Sequence, residues 1–220
     1  MPVPDEAYFG PTETGNTLTY GEVRKLQEAE RFCALRRRLN TLLIEQVNEI
    51  AKMEDGNKAP FPLFLMTCVG IETLGKVFYT REPTSGQNKD DIQKEGFLKV
   101  CNRIHPHFSR PLPKDQKEAY DSLWGVGKHK EVNPFSISHI IYRFGRHTII
   151  HGYRGKGVYF HNDKNLQWQM KMGAPILNPY WFWRNFCSAS EKLWAEFESN
   201  REPTNPLKSS ARLYLEELLG

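Results

Sequence analysis

Residues 133–153, NPFSISHIIYRFGRHTIIHGY, are the stretch that decides the fold of this chain. They read as one helix, because Asn133 is a favourable N-cap, Pro134 a favourable first helical residue and Gly152 a natural stop. At about 100° per residue, one face of that helix collects apolar side chains and a threonine: Ile137, Ile140, Ile141, Phe144 and Thr148. The stretch therefore predicts an amphipathic helix whose apolar stripe faces a helical core.

The polar side of the same helix carries two arginines and three histidines and no acid. Arg143, His147 and His151 recur every four residues and form a row beside the apolar stripe. Arg146 projects on the side opposite that stripe. We expect the row to line the edge of a groove.

Charge is concentrated around this helix. From Val132 to Ser190 there are seven Lys or Arg and a single acid, Asp163, which gives +6. The rest of the chain has 23 basic and 25 acidic residues, or −2. The net charge of +4 therefore conceals one basic region, and such a region attracts polyanions, of which phosphate is the commonest.

A family resemblance enters at residues 146–151, RHTIIH. Arg146 and His151 have the spacing of the Arg-x4-His motif of HEPN domains, in which a polar residue typically follows the arginine, as His147 does here. Residues 71–76, IETLGK, resemble an inner-helix segment of several bacterial members. The resemblance implies a helical bundle that often dimerises. Many members are metal-independent ribonucleases in toxin, antiviral or RNA-processing systems.

The resemblance also implies roles for particular residues. Arg146 and His151 would be the minimum catalytic set, with His147 as an additional candidate. Histidine can take the 2′-hydroxyl proton and supply one to the leaving 5′-oxygen, while arginine stabilises the phosphorane charge. Four further basic side chains are expected to bind single-stranded RNA: Arg143, Arg154, Lys156 and His161. No cofactor is required, and the products would carry 2′,3′-cyclic phosphates.

In HEPN enzymes the motifs of two protomers commonly face each other, so the resemblance implies a homodimer with a composite site. A non-catalytic HEPN-like module that binds RNA, a nucleotide or a protein partner is the alternative, and an antitoxin or regulatory protein is a possible partner. The histidines could also be structural residues at a helix edge, with the arginines at the negative end of the helix dipole. A metal site at His147 and His151 is disfavoured, since Thr148 stands where a His-Glu-x-x-His motif has glutamate.

Glu72 is the sole acid in an apolar segment, so it needs a basic partner. It either pairs with Lys76 or orients an arginine or histidine of the 133–153 helix, and the sequence leaves both open.

Away from this helix, the spacing of apolar residues predicts a mainly α, up-and-down bundle of the HEPN type. We expect an extended N-terminal arm over 1–18, a helical domain over 19–200 and a C-terminal helix over 201–220 packed on the bundle. Within the domain, a Thr19–Glu22 capping box opens one long helix, whose apolar spacing runs from Val23 to Ile50 and which ends at Asp55-Gly56. An apolar helix after Pro60 belongs at the bundle centre. A β-hairpin is expected near 157–172, pairing 158–160 with 166–170.

Composition excludes a disordered chain, with 39% hydrophobic and 25% charged residues. We expect no signal peptide and no apolar stretch of membrane-spanning length, and hence a cytoplasmic protein. The four scattered cysteines are expected to be buried free thiols. Residues 36–38, three arginines, predict a solvated face or a secondary RNA contact, and His105-Pro106-His107 predicts a surface loop in preference to a metal site. Residues 125–128, GVGK, lack the spacing of a nucleotide-binding loop.

Overall fold

The computed structural model describes residues 3–52, 60–124, 135–151, 158–161, 166–171, 173–200, 202 and 204–220, with the backbone alone at 123–124 and 145–151. This part of the chain is mainly helical and carries one two-stranded and one three-stranded sheet, which confirms the predicted mainly α class.

The helices follow one another as α1 Tyr20–Lys25, α2 Glu28–Leu39, α3 Gln46–Lys52, α4 Pro60–Tyr79, α5 Lys89–Ile104, α6 Lys114–Trp124, α7 Ile137–His151, α8 Pro179–Ser199 and α9 Pro206–Leu219. A π-helical segment, Asn40–Glu45, joins α2 to α3, and a short 3₁₀ helix, Pro106–Ser109, follows α5. The strands are β1 Tyr8–Pro11, β2 Thr17–Thr19, β3 Tyr159–Phe160, β4 Trp168–Lys171 and β5 Ala174–Leu177.

Helix α4 is the centre of the bundle, as its apolar composition predicts. It packs against α5, α7, α8 and α9, and its buried side chains point in several directions around the helix. By length and composition α4 could cross a membrane, which corrects the expectation that no stretch is long enough. However, 56% of its apolar window is buried inside the fold, as in the core helix of a globular protein. A cytoplasmic location stays a prediction.

Glycines allow α4 and α5 to approach closely. A Cβ atom on Gly75 would lie 2.8 Å from the carbonyl carbon of Gly96 and 2.9 Å from the backbone nitrogen of Phe97. Conversely, a Cβ on Gly96 would lie 2.8 Å from the Gly75 carbonyl oxygen. Any side chain at either position therefore forces the two helix backbones apart.

The single long helix predicted from Val23 to Asp55-Gly56 is wrong. The Thr19–Glu22 capping box forms as predicted, but α1 ends after Lys25 and a second capping box, Gln27 with Glu30, starts α2. The Glu30 carboxylate accepts from the Gln27 backbone N–H at 2.9 Å, and the Arg31 guanidinium donates to the Leu26 carbonyl at 2.9 Å. These side chains satisfy the helix ends that a continuous helix would not have.

The N-terminal arm contains a hairpin that packs on the bundle. Strand β1 pairs antiparallel with β2, and Phe9 of β1 is fully buried. The Arg38 guanidinium lies 4.9 Å from the centre of the Phe9 ring and donates to the Phe9 carbonyl. The predicted arm over 1–18 is thus extended, but its strands are attached to α2.

Residues 36–38 are not a simple solvated face. Arg36 pairs with Glu198 of α8, and Arg37 pairs with Glu13 at 2.9 Å. Together with Arg38, they connect α2 to the N-terminal hairpin and to α8. Their engagement with the protein argues against the alternative of a secondary RNA contact.

Helix α9 is hydrogen-bonded to α1 and α2. Arg212 of α9 donates to both carboxylate oxygens of Glu28, at 2.7 and 3.0 Å, and Arg24 donates to the Leu219 carbonyl at 2.8 Å. Helix α9 also packs along α4. The predicted C-terminal helix packed on the bundle is therefore present, and it begins at the Asn205 cap, whose side chain accepts from the Leu207 N–H.

The hairpin near 157–172 is wrong in its pairing. The three-stranded sheet has the order β3-β5-β4, in which β5 is antiparallel to β4 and parallel to β3. The hairpin therefore joins β4 to β5, around Gly173 at φ +76°. Gly173 packs on the α6 backbone, where a Cβ would lie 2.3 Å from the nitrogen of Tyr120. Residues 162–165, expected to be the turn, lie outside the described residues.

Other local predictions have mixed outcomes. The Asn178-Pro179 pair predicts the start of a helix, and Asn178 does cap α8, accepting from the Trp181 N–H at 2.9 Å. The sequence offers Asp90 or Asp91 as the cap of α5, but Asn88 caps it, with Asp91 completing the capping box. The four cysteines are free, but Cys33 is exposed and so departs from the predicted burial.

Candidate functional site

The candidate site is helix α7, which begins later than its sequence suggests. Phe135 and Ser136 precede the helix in extended backbone, and Ser136 forms an isolated antiparallel bridge with Pro111. The Leu112 N–H donates to the Phe135 carbonyl at 2.9 Å. This pairing with the segment after α5 takes residues 135–136 out of the helix, so it starts at Ile137. Asn133, Pro134 and Gly152 lie outside the described residues.

The N-terminal end of α7 carries a small polar cluster. The buried Ser136 hydroxyl lies 2.9 Å from the Ser138 hydroxyl and 2.9 Å from Nδ1 of His139. The His139 ring stacks on Phe135 at 5.9 Å between centroids. Burial, together with the positive charge of Lys94, lowers the pKa of His139 to about 4. This histidine is therefore neutral at pH 7 and adds no charge to the basic helix.

The apolar stripe anchors α7 in the core. Ile137, Ile140 and Ile141 are all buried, and Phe144 is half-buried, which confirms the predicted stripe as far as Phe144. The side chain of Thr148 lies outside the described part. Helix α7 packs on both α4 and α5, and Tyr142 contacts the Phe97 ring of α5 at 5.2 Å. The helix is therefore held from two sides, by α4 and by α5.

Arg143 of α7 is not a free cation. Its side chain is half-buried, and its guanidinium lies beside the buried hydroxyl of Tyr120 on α6. Burial raises the pKa of Tyr120, and the neighbouring Arg143 charge opposes that rise. Among the described residues the hydroxyl has no hydrogen-bond partner of good geometry, so the interaction is mainly electrostatic. Arg143 thus links α7 to α6.

The three residues of the motif share one continuous helix. The backbone of Arg146, His147 and His151 belongs to α7, while their side chains lie outside the described part of the structure. On an α-helix the five steps from Arg146 to His151 correspond to a rise of about 7.5 Å, and His147 and His151 are about one turn apart. The fold therefore fixes their spacing along the helix.

Three further residues are predicted to bind RNA, and the structure describes only His161 of them. Arg154 and Lys156 lie outside the described residues. His161 is exposed and follows β3, where its backbone N–H donates to the Leu177 carbonyl at 3.0 Å. Its place near the end of α7 stays a prediction.

Glu72 has the partner that its position on α4 predicts. Nζ of Lys76 lies 3.0 Å from the Glu72 carboxylate, and the Glu72 side chain is 27% exposed. This supports the structural interpretation of Glu72. The alternative, in which it orients an arginine or histidine of the motif, concerns side chains outside the described part.

Within the described ranges there is no group of three or more His, Cys, Asp or Glu that could hold a metal ion. The His105-Pro106-His107 segment begins the 3₁₀ helix, with His105 Nδ1 accepting from the His107 N–H at 3.3 Å. His105 also packs against the rings of Trp168 and Trp181, each at 5.6 Å. Burial, His107 and Arg110 lower its pKa. The segment is a surface turn with a packing role.

The side-chain contacts of α7 were not predicted from the sequence. The Tyr120 hydroxyl beside Arg143 and the Ser136–His139 contact both depend on tertiary packing, and only the second had a local signal, the i, i+3 spacing of Ser136 and His139.

No family model matches the chain, and no curated protein or solved structure matches it. The resemblance to HEPN domains therefore rests on residues 146–151 and 71–76 and on the helical architecture.

Proposed function

We propose that the protein is a HEPN-like, metal-independent endoribonuclease whose site is built on α7. The observation that carries the proposal is that Arg146, His147 and His151 belong to one helix of 15 residues, anchored by buried isoleucines against two core helices. A helix held in this way keeps the spacing of an acid, a base and a phosphate ligand constant, and such preorganisation is what the reaction requires.

The chemistry needs no cofactor. One histidine takes the proton of the 2′-hydroxyl, whose oxygen attacks the adjacent phosphorus. The bond to the 5′-oxygen breaks, and that oxygen receives a proton from a second histidine or from the same residue. A guanidinium stabilises the charge on the phosphorane. The fragments carry a 2′,3′-cyclic phosphate and a 5′-hydroxyl.

Arg146 is the better candidate for the phosphate ligand. Arg143 lies beside Tyr120 and is half-buried, so using it for RNA would take its charge away from that contact. We therefore assign Arg143 to positioning α7 on α6 and Arg146 to the phosphate. His139 is neutral and bonded to Ser136, so proton transfer falls to His147 and His151.

The substrate that fits the basic region is single-stranded RNA, with Arg154, Lys156 and His161 as further phosphate contacts. We propose a homodimer in which two α7 helices face each other, since one motif supplies few well-placed histidines. An antitoxin or other regulatory protein would cover the same surface.

The test is incubation of purified protein with a mixed single-stranded RNA pool in EDTA, followed by analysis of fragment ends. We expect cyclic phosphate ends with the wild type, and a loss of about 10²-fold or more in rate with His151→Ala. Arg146→Ala should lose activity to a larger extent than Arg143→Ala. His107→Ala is the matched control, because His107 is an exposed histidine on another element.

Other outcomes have definite meanings. If no variant cleaves but RNA is retained in a salt-sensitive way, the protein is a HEPN-like binding module, the alternative function. Equal cleavage by the wild type and by His151→Ala would place the activity elsewhere or in a contaminant. If RNA is neither cleaved nor retained, an RNA-directed role for α7 is refuted.

A further inference from the structure

A cavity lies between α2, α8 and α9, and none of its lining residues belongs to α7. Its volume is about 340 Å³, within the range of small-molecule sites. Three aromatic side chains form its apolar part: Phe32 and Phe197 pack edge to face at 5.0 Å, and Trp194 meets Phe197 at 5.6 Å. The three rings are largely covered by the core, so a planar ring would meet only the small part of them that is accessible at the cavity wall.

The charged residues that line the cavity differ in whether they form ion pairs. Both oxygens of Glu28 accept from Arg212, and Glu198 pairs with Arg36. Lys208 also lines the cavity, and it has no ion pair within the described part of the chain. The pKa of Glu28 is lowered first by its hydrogen bond from Arg212 and to a smaller extent by the charge of Lys208. The Glu28 carboxylate is therefore already bound by Arg212. The Lys208 ammonium is thus available to pair with a ligand in the cavity.

Trp194 adds a second unused donor. Its side chain is buried, and its indole N–H has no acceptor among the residues that the structure describes. A buried donor without an acceptor is costly, but this nitrogen is enclosed by protein atoms, so Lys208 is the group that an acidic ligand can reach.

From these features we infer that the cavity between α2, α8 and α9 binds a small planar aromatic carboxylate. The ring lies against Phe32, Phe197 and Trp194, and the carboxylate pairs with Lys208. A cationic ligand would meet the ammonium of Lys208 while both nearby acids are occupied by arginines. A neutral ring would gain only the apolar contacts. The inference does not depend on the proposed ribonuclease activity.

Cys33 makes the site measurable, since it is exposed and lines the cavity. The probes are 2-naphthoate, 2-naphthalenemethanol and 2-naphthylmethylamine, which share a ring and differ in charge. Alkylation of Cys33 by iodoacetamide is followed by mass spectrometry with and without each compound. We expect 2-naphthoate to slow alkylation in a saturable way, with an affinity about tenfold higher than that of the alcohol, and the amine to bind weakest.

Two variants test the assignment without touching the buried rings. Lys208→Gln should abolish the preference for the acid over the alcohol, whereas Lys192→Gln, an exposed lysine of α8 outside the cavity, should keep it. Ala29→Leu fills the cavity mouth and should remove protection by all three compounds. Ser188→Leu, an exposed position on α8 outside the cavity, is its control.

Each variant is compared with itself in the presence and absence of compound, so changes in the intrinsic reactivity of Cys33 cancel. Absence of protection by 2-naphthoate at millimolar concentration would overturn the inference. Equal protection by acid, alcohol and amine would also overturn it, as would an undiminished acid preference in Lys208→Gln.

Discussion

The close approach of α4 and α5 makes a sharp prediction for Gly75→Ala. The new Cβ would lie 2.8 Å from the Gly96 carbonyl carbon and 2.9 Å from the Phe97 nitrogen. Alanine in a helix is intrinsically about 1 kcal/mol more favourable than glycine. Overpacking costs about 1–3 kcal/mol, and we take the upper end because both obstructing atoms are backbone and cannot rotate away. The net expectation is a loss of about 2 kcal/mol.

The assay is urea unfolding followed by tryptophan fluorescence and circular dichroism, with thermal melts in parallel. For a chain of this size, about 2 kcal/mol corresponds to a fall in Tm of about 4–8 °C. Gly96→Ala obstructs the same contact, so the double variant should lose less than the sum of the two singles. Ser188→Ala, on the exposed face of α8, is the helical control.

A Gly75→Ala protein as stable as the wild type would refute the close approach of the two helices. The same result would contradict a rigidly held α7, because α7 packs on both α4 and α5.

Two further predictions concern single contacts. The pKa of His139 is lowered from 6.5 to about 4 in the folded state, so the unfolded state binds the proton first and stability falls as pH drops through that range. His139→Gln should flatten this dependence of the urea midpoint on pH, and His107→Gln should not. The buried Trp183 indole donates to Asn48 Oδ1 at 2.9 Å, so Asn48→Ala should cost about 1–3 kcal/mol by urea unfolding at pH 7. An unchanged midpoint would contradict the importance of that hydrogen bond.

Helix caps were predictable because their hydrogen bonds are local. Thr19 with Glu22, and Asn178 and Asn205 before prolines, cap their helices as the sequence indicates. Gln27 with Glu30 gives the same kind of local signal, but it lies within a long apolar periodicity that favours one continuous helix. Periodicity alone does not reveal a break of two residues that keeps the same face buried.

Pairings distant in sequence were not predictable. Strand β5 contains Pro175, which argues against a central strand, yet β5 lies between β3 and β4. Arg36 finds Glu198, which is 162 residues away. For the candidate site, periodicity predicted the buried isoleucines, whereas the neighbour of Arg143 depended on how α6 packs.

The ties from α9 back to α1 and α2 have a consequence for biosynthesis. Glu28 and Arg24 find their partners on Arg212 and Leu219. At about 5–20 residues per second, the ribosome needs on the order of ten seconds or more to proceed from α2 to α9. During that interval the long flank of α4 that α9 will cover stays exposed. A nascent chain from which α9 has not yet emerged thus exposes an apolar flank of α4 that the complete fold covers.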